Sequence, residues 1–420
     1  MKKGIRNSLV AILLIAVSLA GCTGDKRSDE APSKTDNTIV LGGFNDFVNS
    51  SNEFSFEMYE ELVDGNDNVF FSPYSITTAL GMAYEGAKGK TAEEMEQVLD
   101  IPKDYDTRLA MMKELQSTLN KIGTNYNLST ANAYWLREGG SLREGYKNAI
   151  ENFYLAHGEE LDFAGDPVGS VDTVNKWVEG ETNDKIKDLL LPDDIDPLTY
   201  LILTNAVYFK SDWKYQFDAG ATEKMDFHQS GGTDIKADMM HMCDEEIELL
   251  HAANSDAQLL RLPYENNEIS MYLLLPKEND IGTIESKLDI SYLNNMKKKL
   301  EPEYIDMYLP KFNFEEKYKL KKNLINMGMP TAFTGGADFS GISDDAEGLY
   351  IDKVIHKSFV EVNEEGTEAA AATAVIMIER GGGPSTAPVD FKADHPFIFL
   401  IEHEETGQIL FMGKVENPSA

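Results

Sequence analysis

Two serines and a histidine are the side chains of this sequence that could carry out nucleophilic chemistry. Ser72 or Ser75 could attack a carbonyl group, with His356 and one of the many Asp side chains completing a hydrolase triad. Neither serine lies in the G-x-S-x-G turn that exposes such a nucleophile, and the sequence contains no P-loop, dinucleotide fingerprint or H-E-x-x-H motif. We therefore predict that the protein is not an enzyme.

A second group of residues has the chemistry of a metal site. His241, Cys243 and His251 lie close together in the sequence and could ligate a soft metal ion. No second ligand pair stands at metal-site spacing, so we expect a structural or incidental role for them and predict neither a metal nor a cofactor. The only other cysteine is Cys22, so Cys243 has no disulfide partner if Cys22 is lipidated.

The segment Glu361 to Ala374, EVNEEGTEAAAATA, fits two secondary structures. Helix propensity favours a helix that is capped by Thr367 and continues through four alanines. With a period of two, Thr367 and every second residue as far as Met377 form an uncharged face, which suits a strand that can enter a sheet. Propensity alone leaves both alternatives open.

Six segments, in order, carry a resemblance to one protein family over about Asn45 to Pro418. They are NVFFSPYSITTALGMAYEGAKGKTAEEM (68–95), LTNAVYFKSDW (203–213), LPYENNEISMYLLLP (262–276), YLPKF (308–312), ADFSGIS (337–343) and FKADHPFIFLIEHEETGQILFMGKVENP (391–418). On these segments the chain resembles the serpins. The resemblance implies an α+β fold, the serpin fold, with three β-sheets, surrounding helices and an exposed reactive-centre loop.

The resemblance also assigns roles to particular residues. It places Ser72, Ser75, Asn205 and His356 in a hydrogen-bonded cluster beneath the central sheet, where strands must part, and Trp213 at the top of that sheet, where the loop first enters. It favours the strand alternative for the segment that follows Gly366. The implied hinge comprises Glu364, Glu365, Gly366, Thr367, Glu368, Ala369, Ala370, Ala371 and Ala372.

The mechanism implied by the resemblance is irreversible inhibition of a serine endopeptidase. The protease cleaves the loop, becomes esterified to it, and is trapped when the loop inserts into the central sheet. The hinge glycine of inhibitory serpins lies fourteen residues before the attacked residue, which here gives Arg380 and Gly381 as the reactive bond and suggests a trypsin-like target. The run from Gly381 to Pro384 looks longer than the family spacing, so the true bond could lie elsewhere.

Hinge composition separates this function from the alternative, a non-inhibitory serpin that acts as a binding or chaperone-like protein. Between Gly366 and Ile378 the chain carries no Arg, Lys or Pro, and small residues dominate. Such a segment can enter a sheet with little steric or desolvation penalty. The sequence therefore favours the inhibitor.

The N-terminus indicates where the protein is located. Three basic residues precede an apolar run from Leu9 to Ala20, which is too short to span a hydrocarbon core of ~30 Å and has the layout of a signal peptide. The run ends in Leu-Ala-Gly followed by Cys22, which resembles the lipobox of prokaryotic lipoproteins. We predict that Cys22 is lipidated and that the protein is extracytoplasmic and anchored to the membrane only through this lipid. An ordinary signal peptide is the alternative.

Length and charge complete the prediction. Residues 1–21 form the signal peptide, 22–40 a flexible polar tether, and 41–420 a single domain whose reactive loop covers about 364–391. A formal net charge of -34 argues against nucleic acid as a partner, and we expect a monomer whose partner is the target protease. Apolar periodicity predicts helices over Asn52 to Val63 and Ser75 to Glu85, and buried strands over Ile269 to Leu275 and Pro396 to Ile401.

Overall fold

A computed structural model describes residues 37–120, 126–345, 348–367 and 387–419. Within these residues the helices are α1 (Asn37–Leu62), α2 (Pro73–Tyr84), α3 (Gly89–Leu99), α4 (Tyr105–Leu119), α5 (Glu144–Asn152), α6 (Pro167–Glu181), α7 (Ile281–Glu285), α8 (Ile290–Lys297) and α9 (Lys321–Met327). No helix among them is both long enough and apolar enough to cross a membrane.

The strands alternate with these helices along the chain. They are β1 (Val69–Phe71), β2 (Asn127–Arg137), β3 (His157–Leu161), β4 (Leu201–Asp212), β5 (Glu223–His228), β6 (Asp234–Ala253), β7 (Ala257–Pro263), β8 (Ile269–Pro276), β9 (Glu301–Pro310), β10 (Phe312–Lys319), β11 (Ile355–Val362), β12 (Gly366–Thr367), β13 (Val389–Lys392), β14 (Phe397–His403) and β15 (Gln408–Val415).

The smaller sheet positions the candidate site. Its order is β10-β11-β12-β4-β2-β3, so the two-residue strand β12 lies between β11 and β4 and pairs antiparallel with both. Antiparallel pairing on both sides makes β11 and β4 parallel to each other. β3 forms the far edge and pairs parallel with β2.

The larger sheet follows the order β1-β15-β14-β8-β7-β6-β9-β13, with β5 on a free side of β6. Strand β6 is long and has an irregularity between Cys243 and Glu248, where its register against β9 shifts. The first half of β6 pairs with β5 and the second half with β7. The second and third sheets implied by the resemblance are therefore joined into one hydrogen-bonded ladder, because β6 and β9 run through both.

Helix α2 shows how the sequence builds the core between the sheets. Ser72 accepts a hydrogen bond from the Ser75 backbone N–H at the start of the helix, and Pro73 occupies the first turn, where a missing N–H does no harm. Ten of its twelve residues are buried, so the helix is apolar on all sides and packs against α1, β4 and β15. It thereby holds Ser72 and Ser75 directly under the smaller sheet.

The predicted α+β fold is confirmed, and the predicted element bounds are close to the observed ones except at the start of α1. α2, β8 and β14 cover the predicted helix after Pro73 and the two predicted strands. The predicted helix over Asn52 to Val63 is the second half of a longer α1 that begins at Asn37, inside the stretch predicted as tether. This first part of the helix continues through Gly42 and Gly43, although glycine is a weak helix former.

Candidate functional site

Four polar residues that lie far apart in the sequence meet beneath the smaller sheet. The Ser72 hydroxyl donates to the Leu410 carbonyl at 2.7 Å, and the Ser72 backbone N–H donates to His356 Nε2 at 3.0 Å. The Ser75 hydroxyl donates to Asn205 Oδ1. These bonds connect the start of α2 to β4, β11 and β15, so the cluster lies where β4 and β11 approach each other.

His356 is uncharged in this cluster. Burial without a compensating partner charge lowers its pKa to about 3. Its Nε2 accepts the Ser72 N–H, which only the neutral ring can do. The cluster therefore carries no ionic charge and consists of neutral hydrogen bonds in the protein interior.

Asn132 extends the network, and the sequence analysis missed it. Asn205 Nδ2 donates to Asn132 Oδ1, and Asn132 Nδ2 donates to the Tyr154 carbonyl at 2.6 Å. Asn132 and Asn205 are directly opposite each other on β2 and β4. A polar residue in the middle of an apolar strand was the only available signal, and it does not identify a partner in another strand.

Trp213 lies at the other end of β4 and holds the start of the hinge. Its indole Nε1 donates to the Asn363 carbonyl at 2.9 Å, and its backbone N–H donates to the Glu365 carbonyl at 2.7 Å. Its ring stacks on Tyr264 with 4.4 Å between ring centroids. The Tyr264 hydroxyl in turn lies 2.6 Å from the Thr367 hydroxyl, so the Trp213–Tyr264 pair contacts both sides of the hinge turn.

Glu364 is fixed by two further contacts. Its carboxylate accepts hydrogen bonds from Lys311 Nζ at 2.7 Å and from the Thr222 hydroxyl at 2.7 Å. Burial works to raise the pKa of Glu364, but these two hydrogen bonds outweigh it and hold the pKa below its usual value. The residue is therefore ionised at neutral pH and anchors the turn before β12.

Gly366 occupies a position that admits no side chain. A Cβ on this residue would lie 2.2 Å from the Ser211 carbonyl oxygen and 2.7 Å from the Asp212 Cα. Both contacts are with backbone, which cannot rotate away. Close approach to β4 therefore requires glycine here.

Thr367 is part of the sheet. It pairs with Ser211 of β4 and with Val362 of β11, and only 3% of its surface is exposed. Thr367 itself is thus in a strand, and residues 368–374, over which the helical and strand alternatives differ, lie outside the described part of the chain. Residues 364–367, predicted to begin an exposed loop, are instead bound to the top of the sheet, and 389–391 at its other end belong to β13.

A narrow cleft continues from Thr367 between the two strands. It is lined by β4, by β11 and by residues of the segment between α6 and β4: Lys185, Ile186, Val207, Tyr208, Phe209, Phe359, Glu361 and Thr367. An extended chain that continues from Thr367 would enter this cleft.

The segment between α6 and β4, residues 182–200, forms a strap across the cleft. Lys357 Nζ of β11 donates to the Lys187 carbonyl at 2.6 Å, Lys317 Nζ of β10 to the Asp188 carbonyl at 3.2 Å, and Lys353 Nζ to the Asp193 carbonyl at 2.9 Å. Lys185 pairs with Glu361 at 3.5 Å. The strap is thus fastened to the β11 side of the cleft, and none of these lysines was identified from the sequence.

Several predicted residues lie outside the described part of the chain. They are Cys22, Glu368, Ala369, Ala370, Ala371, Ala372, Arg380 and Gly381. The possible metal ligands are within it but do not converge: His241 hydrogen-bonds Asp306, His251 hydrogen-bonds Gln258, and Cys243 is exposed. The described residues contain no group of three or more His, Cys, Asp or Glu that could hold a metal ion.

Comparisons with known proteins agree with this architecture. The family model described as serpin (serine protease inhibitor) matches residues 49–418. An uncharacterized serpin-like protein of Thermococcus kodakarensis is 43% identical, with 99% of each chain covered, and Serpin B6 of Macaca fascicularis is 41% identical over 84% of this chain and 94% of its own. The crystal structure of Serpin48 from Tenebrio molitor, described as a highly specific serpin, superposes with a TM-score of 0.78 at 33% identity and covers 90% of this chain and 98% of that one.

Proposed function

This chain belongs to the serpin family, whose members are generally protease inhibitors, and we propose that it inhibits serine endopeptidases irreversibly by inserting its cleaved loop into the smaller sheet. The observation that carries the proposal is the position of β12. Gly366 and Thr367 already pair with β4, and Thr367 also pairs with β11. Insertion would extend this existing strand, so no new strand would have to be started between β4 and β11.

The chemical step precedes insertion. The serine oxygen of the protease attacks the carbonyl carbon of Arg380, the Arg380–Gly381 amide bond breaks, and Gly381 leaves as a protonated or neutral amine. An ester then joins the protease to the new C-terminus of the loop. Insertion must occur before water hydrolyses this ester, because hydrolysis releases an active protease and a spent inhibitor.

The register of β12 fixes where each inserted residue would lie. Thr367 stands opposite Ser211 on one side and Val362 on the other. In the same antiparallel register Thr373 would be level with both Asn205 and His356, and Met377 would reach Leu201 at the start of β4. Arg380 follows that end, so the attached protease would be carried roughly 40 Å from the top of the sheet.

Specificity for trypsin-like proteases is the finer part of the proposal. Arg380 is the only basic residue between Lys357 and Lys392, and it stands fourteen residues after Gly366. A guanidinium group suits a primary pocket that contains a carboxylate, because the contact is charge-assisted and can be bidentate.

Location is also proposed: Cys22 is lipidated and anchors an extracytoplasmic, monomeric domain to the membrane. The order Leu-Ala-Gly-Cys after a short apolar run supports it. In a bacterial host Cys22→Ser should move the protein from the membrane fraction to the soluble extracytoplasmic fraction, and a C-terminal epitope tag would report the partition. Unchanged partitioning of this variant would contradict lipid anchoring and leave the inhibitory mechanism untouched.

Denaturing electrophoresis tests the inhibitory mechanism directly. Trypsin mixed with a small excess of the protein should give a band that resists SDS and has the mass of both proteins less the C-terminal peptide released at Gly381. Trypsin whose active-site serine is replaced by alanine is the control and should give no such band. Cleavage without a covalent band would instead favour the non-inhibitory alternative, a binding or chaperone-like serpin.

A further inference from the structure

The segment that would enter the cleft carries a single charged side chain. From Thr367 to Ile378 the sequence is TEAAAATAVIMI, and Glu368 is its only charged residue. A charge that is moved from water into a sheet raises the free energy of the product unless an opposite charge receives it. The described residues at the top of the cleft show which charges would receive this carboxylate.

The register of β12 determines the neighbours of residue 368. Thr367 pairs with β4 and β11 and is buried, so the next residue would face the strap and stand in one row with Lys210 and Glu361. Asp212 lies one row higher on the same face. On β4 and β11 alone, one lysine would therefore attract the incoming carboxylate and two carboxylates would repel it.

Lys185 of the strap changes this balance. Its Nζ lies 3.5 Å from Glu361 Oε2 and 4.8 Å from the centroid of the Phe359 ring. The Lys185 and Glu361 side chains are each 32% exposed, so solvent and salt screen this pair less than a fully exposed one. Both residues also line the cleft. The positive charge of Lys185 thus lies beside the position that the inserting carboxylate would take.

The next residues that would face the strap are all small. They are Ala370, Ala372 and Ala374. Their methyl groups need little room between the sheet and the strap, so their size alone suits this position. Glu368 is larger and charged, and its place in the same row of side chains requires an electrostatic explanation.

We propose that Lys185 is a positioning residue for loop insertion: it neutralises Glu361, so that the Glu368 carboxylate can enter the sheet beside Lys210. The inference rests on the proposed inhibitory function and gives the strap a role that assists insertion. Without the charge of Lys185, two carboxylates would stand on neighbouring strands about 5 Å apart, which is unfavourable.

A double-mutant cycle tests whether Lys185 acts through the charge of Glu368. The parent, Lys185→Met, Glu368→Gln and the double variant are each mixed with saturating trypsin, and stopped-flow fluorescence follows insertion at about 50 and 500 mM NaCl. Lys185→Met should slow insertion about three- to fivefold at low salt and by less at high salt. In the Glu368→Gln background the same substitution should change the rate by less than about twofold, because no second carboxylate enters.

Further variants separate the charge of Lys185 from its packing. Lys185→Arg keeps the charge and should restore the parent rate, and Glu361→Gln added to Lys185→Met should recover most of the lost rate. Lys176→Met is the matched control: it removes an exposed lysine of α6 that pairs with Asp172, and it should not slow insertion. Thermal unfolding shows whether each variant is folded, and Lys185→Gln replaces Lys185→Met in the cycle if the latter is not.

Two results would overturn this inference while the covalent complex still forms. Equal slowing by Lys185→Met in both backgrounds would show that Lys185 acts only through packing. An unchanged or faster rate in the parent background would show that Lys185 does no more than fasten the strap. Absence of a covalent complex between the parent chain and trypsin would overturn the proposed function and this inference together.

Discussion

Replacing Thr367 by arginine should convert the inhibitor into a substrate. Thr367 is 3% exposed, pairs with strands on both sides, and places its hydroxyl 2.6 Å from that of Tyr264. It is the first residue that the rest of the loop must follow into the cleft. An arginine here would have to be buried between Ser211 and Val362 or leave the sheet, and either outcome delays insertion.

The expected delay can be estimated from these contacts. Loss of the Thr367 hydroxyl leaves the buried Tyr264 hydroxyl unpaired, at about 1–3 kcal/mol. Burial of the guanidinium without a partner adds several kcal/mol more, and an expelled side chain would avoid this only by giving up the β12 pairing. If only about 3 kcal/mol of this is present in the transition state for insertion, insertion slows about 150-fold.

The stoichiometry of inhibition reports this directly, because it rises as hydrolysis of the ester competes with insertion. Thr367→Arg titrated against trypsin should require at least tenfold more inhibitor per protease than the parent, and gels should show cleaved inhibitor in place of the covalent band. Thr367→Ser keeps the hydroxyl and is the matched control, with a stoichiometry close to that of the parent. A full yield of covalent complex from Thr367→Arg would refute the assignment of this segment as the inserting strand.

Three other predictions concern specificity, pH and the strap. Arg380→Ala should slow association with trypsin at least tenfold, because the truncation leaves the carboxylate in the protease pocket unpaired, which costs roughly 2–5 kcal/mol. Mass spectrometry of the parent reaction should find a new N-terminus at Gly381. A cut elsewhere would move the reactive bond. Because burial lowers the pKa of His356 from an ordinary 6.5 to about 3, its stabilising contribution is complete above pH 6.5 and is lost as the pH falls toward 3. The free energy of unfolding in urea should fall between pH 7 and pH 5 by less for His356→Asn than for the parent, and the difference should be up to about 1.4 kcal/mol per pH unit. Equal losses in the two proteins would show that protonation of His356 does not cause the pH dependence. Lys357→Met keeps an aliphatic side chain but removes the hydrogen bond to the Lys187 carbonyl, which loosens the strap. Stopped-flow fluorescence should therefore show faster loop insertion after cleavage. An unchanged rate would show that this bond does not slow insertion.

The sequence predicts the fold well and the site only in part. Linear segments carry the resemblance, and they contain Ser72, Ser75, Asn205 and Trp213. His356 lies outside them, and the structure brings it to the cluster of Ser72, Ser75 and Asn205. The resemblance implies that Ser72, Ser75, Asn205 and His356 form one cluster, but the individual donors and acceptors could not be predicted, because these bonds join strands and loops that lie far apart in the chain and leave no periodic signal.

The hinge and the strap also have features that the sequence alone does not predict. The resemblance places Gly366 in the hinge, and the structure adds a steric reason for glycine there, the close approach to the Ser211 carbonyl oxygen. The lysines that fasten the strap resemble ordinary surface residues of β10 and β11 in the sequence. Their role depends on which backbone carbonyls lie above them, and only the folded chain determines that.

The register of β12 connects the hinge to the hydrogen-bonded cluster beneath the sheet. Thr373 would arrive level with Asn205 and His356 six residues after Thr367, so the loop cannot insert halfway without separating β4 from β11 at this cluster. Before that point the inserting residues are Glu368 and four alanines, and Glu368 would stand between Lys210 of β4, which can pair with its charge, and Glu361 of β11, which repels it. On the proposed mechanism, the early part of insertion would involve small side chains and one charged residue that faces a lysine on one side and a glutamate on the other. On the proposed mechanism, the barrier would lie at the row of Thr373, because the neutral bonds from Ser72 to His356 and from Ser75 to Asn205 hold both strands to α2. On the proposed mechanism, these bonds would hold β4 and β11 together below the hinge until the loop is cleaved.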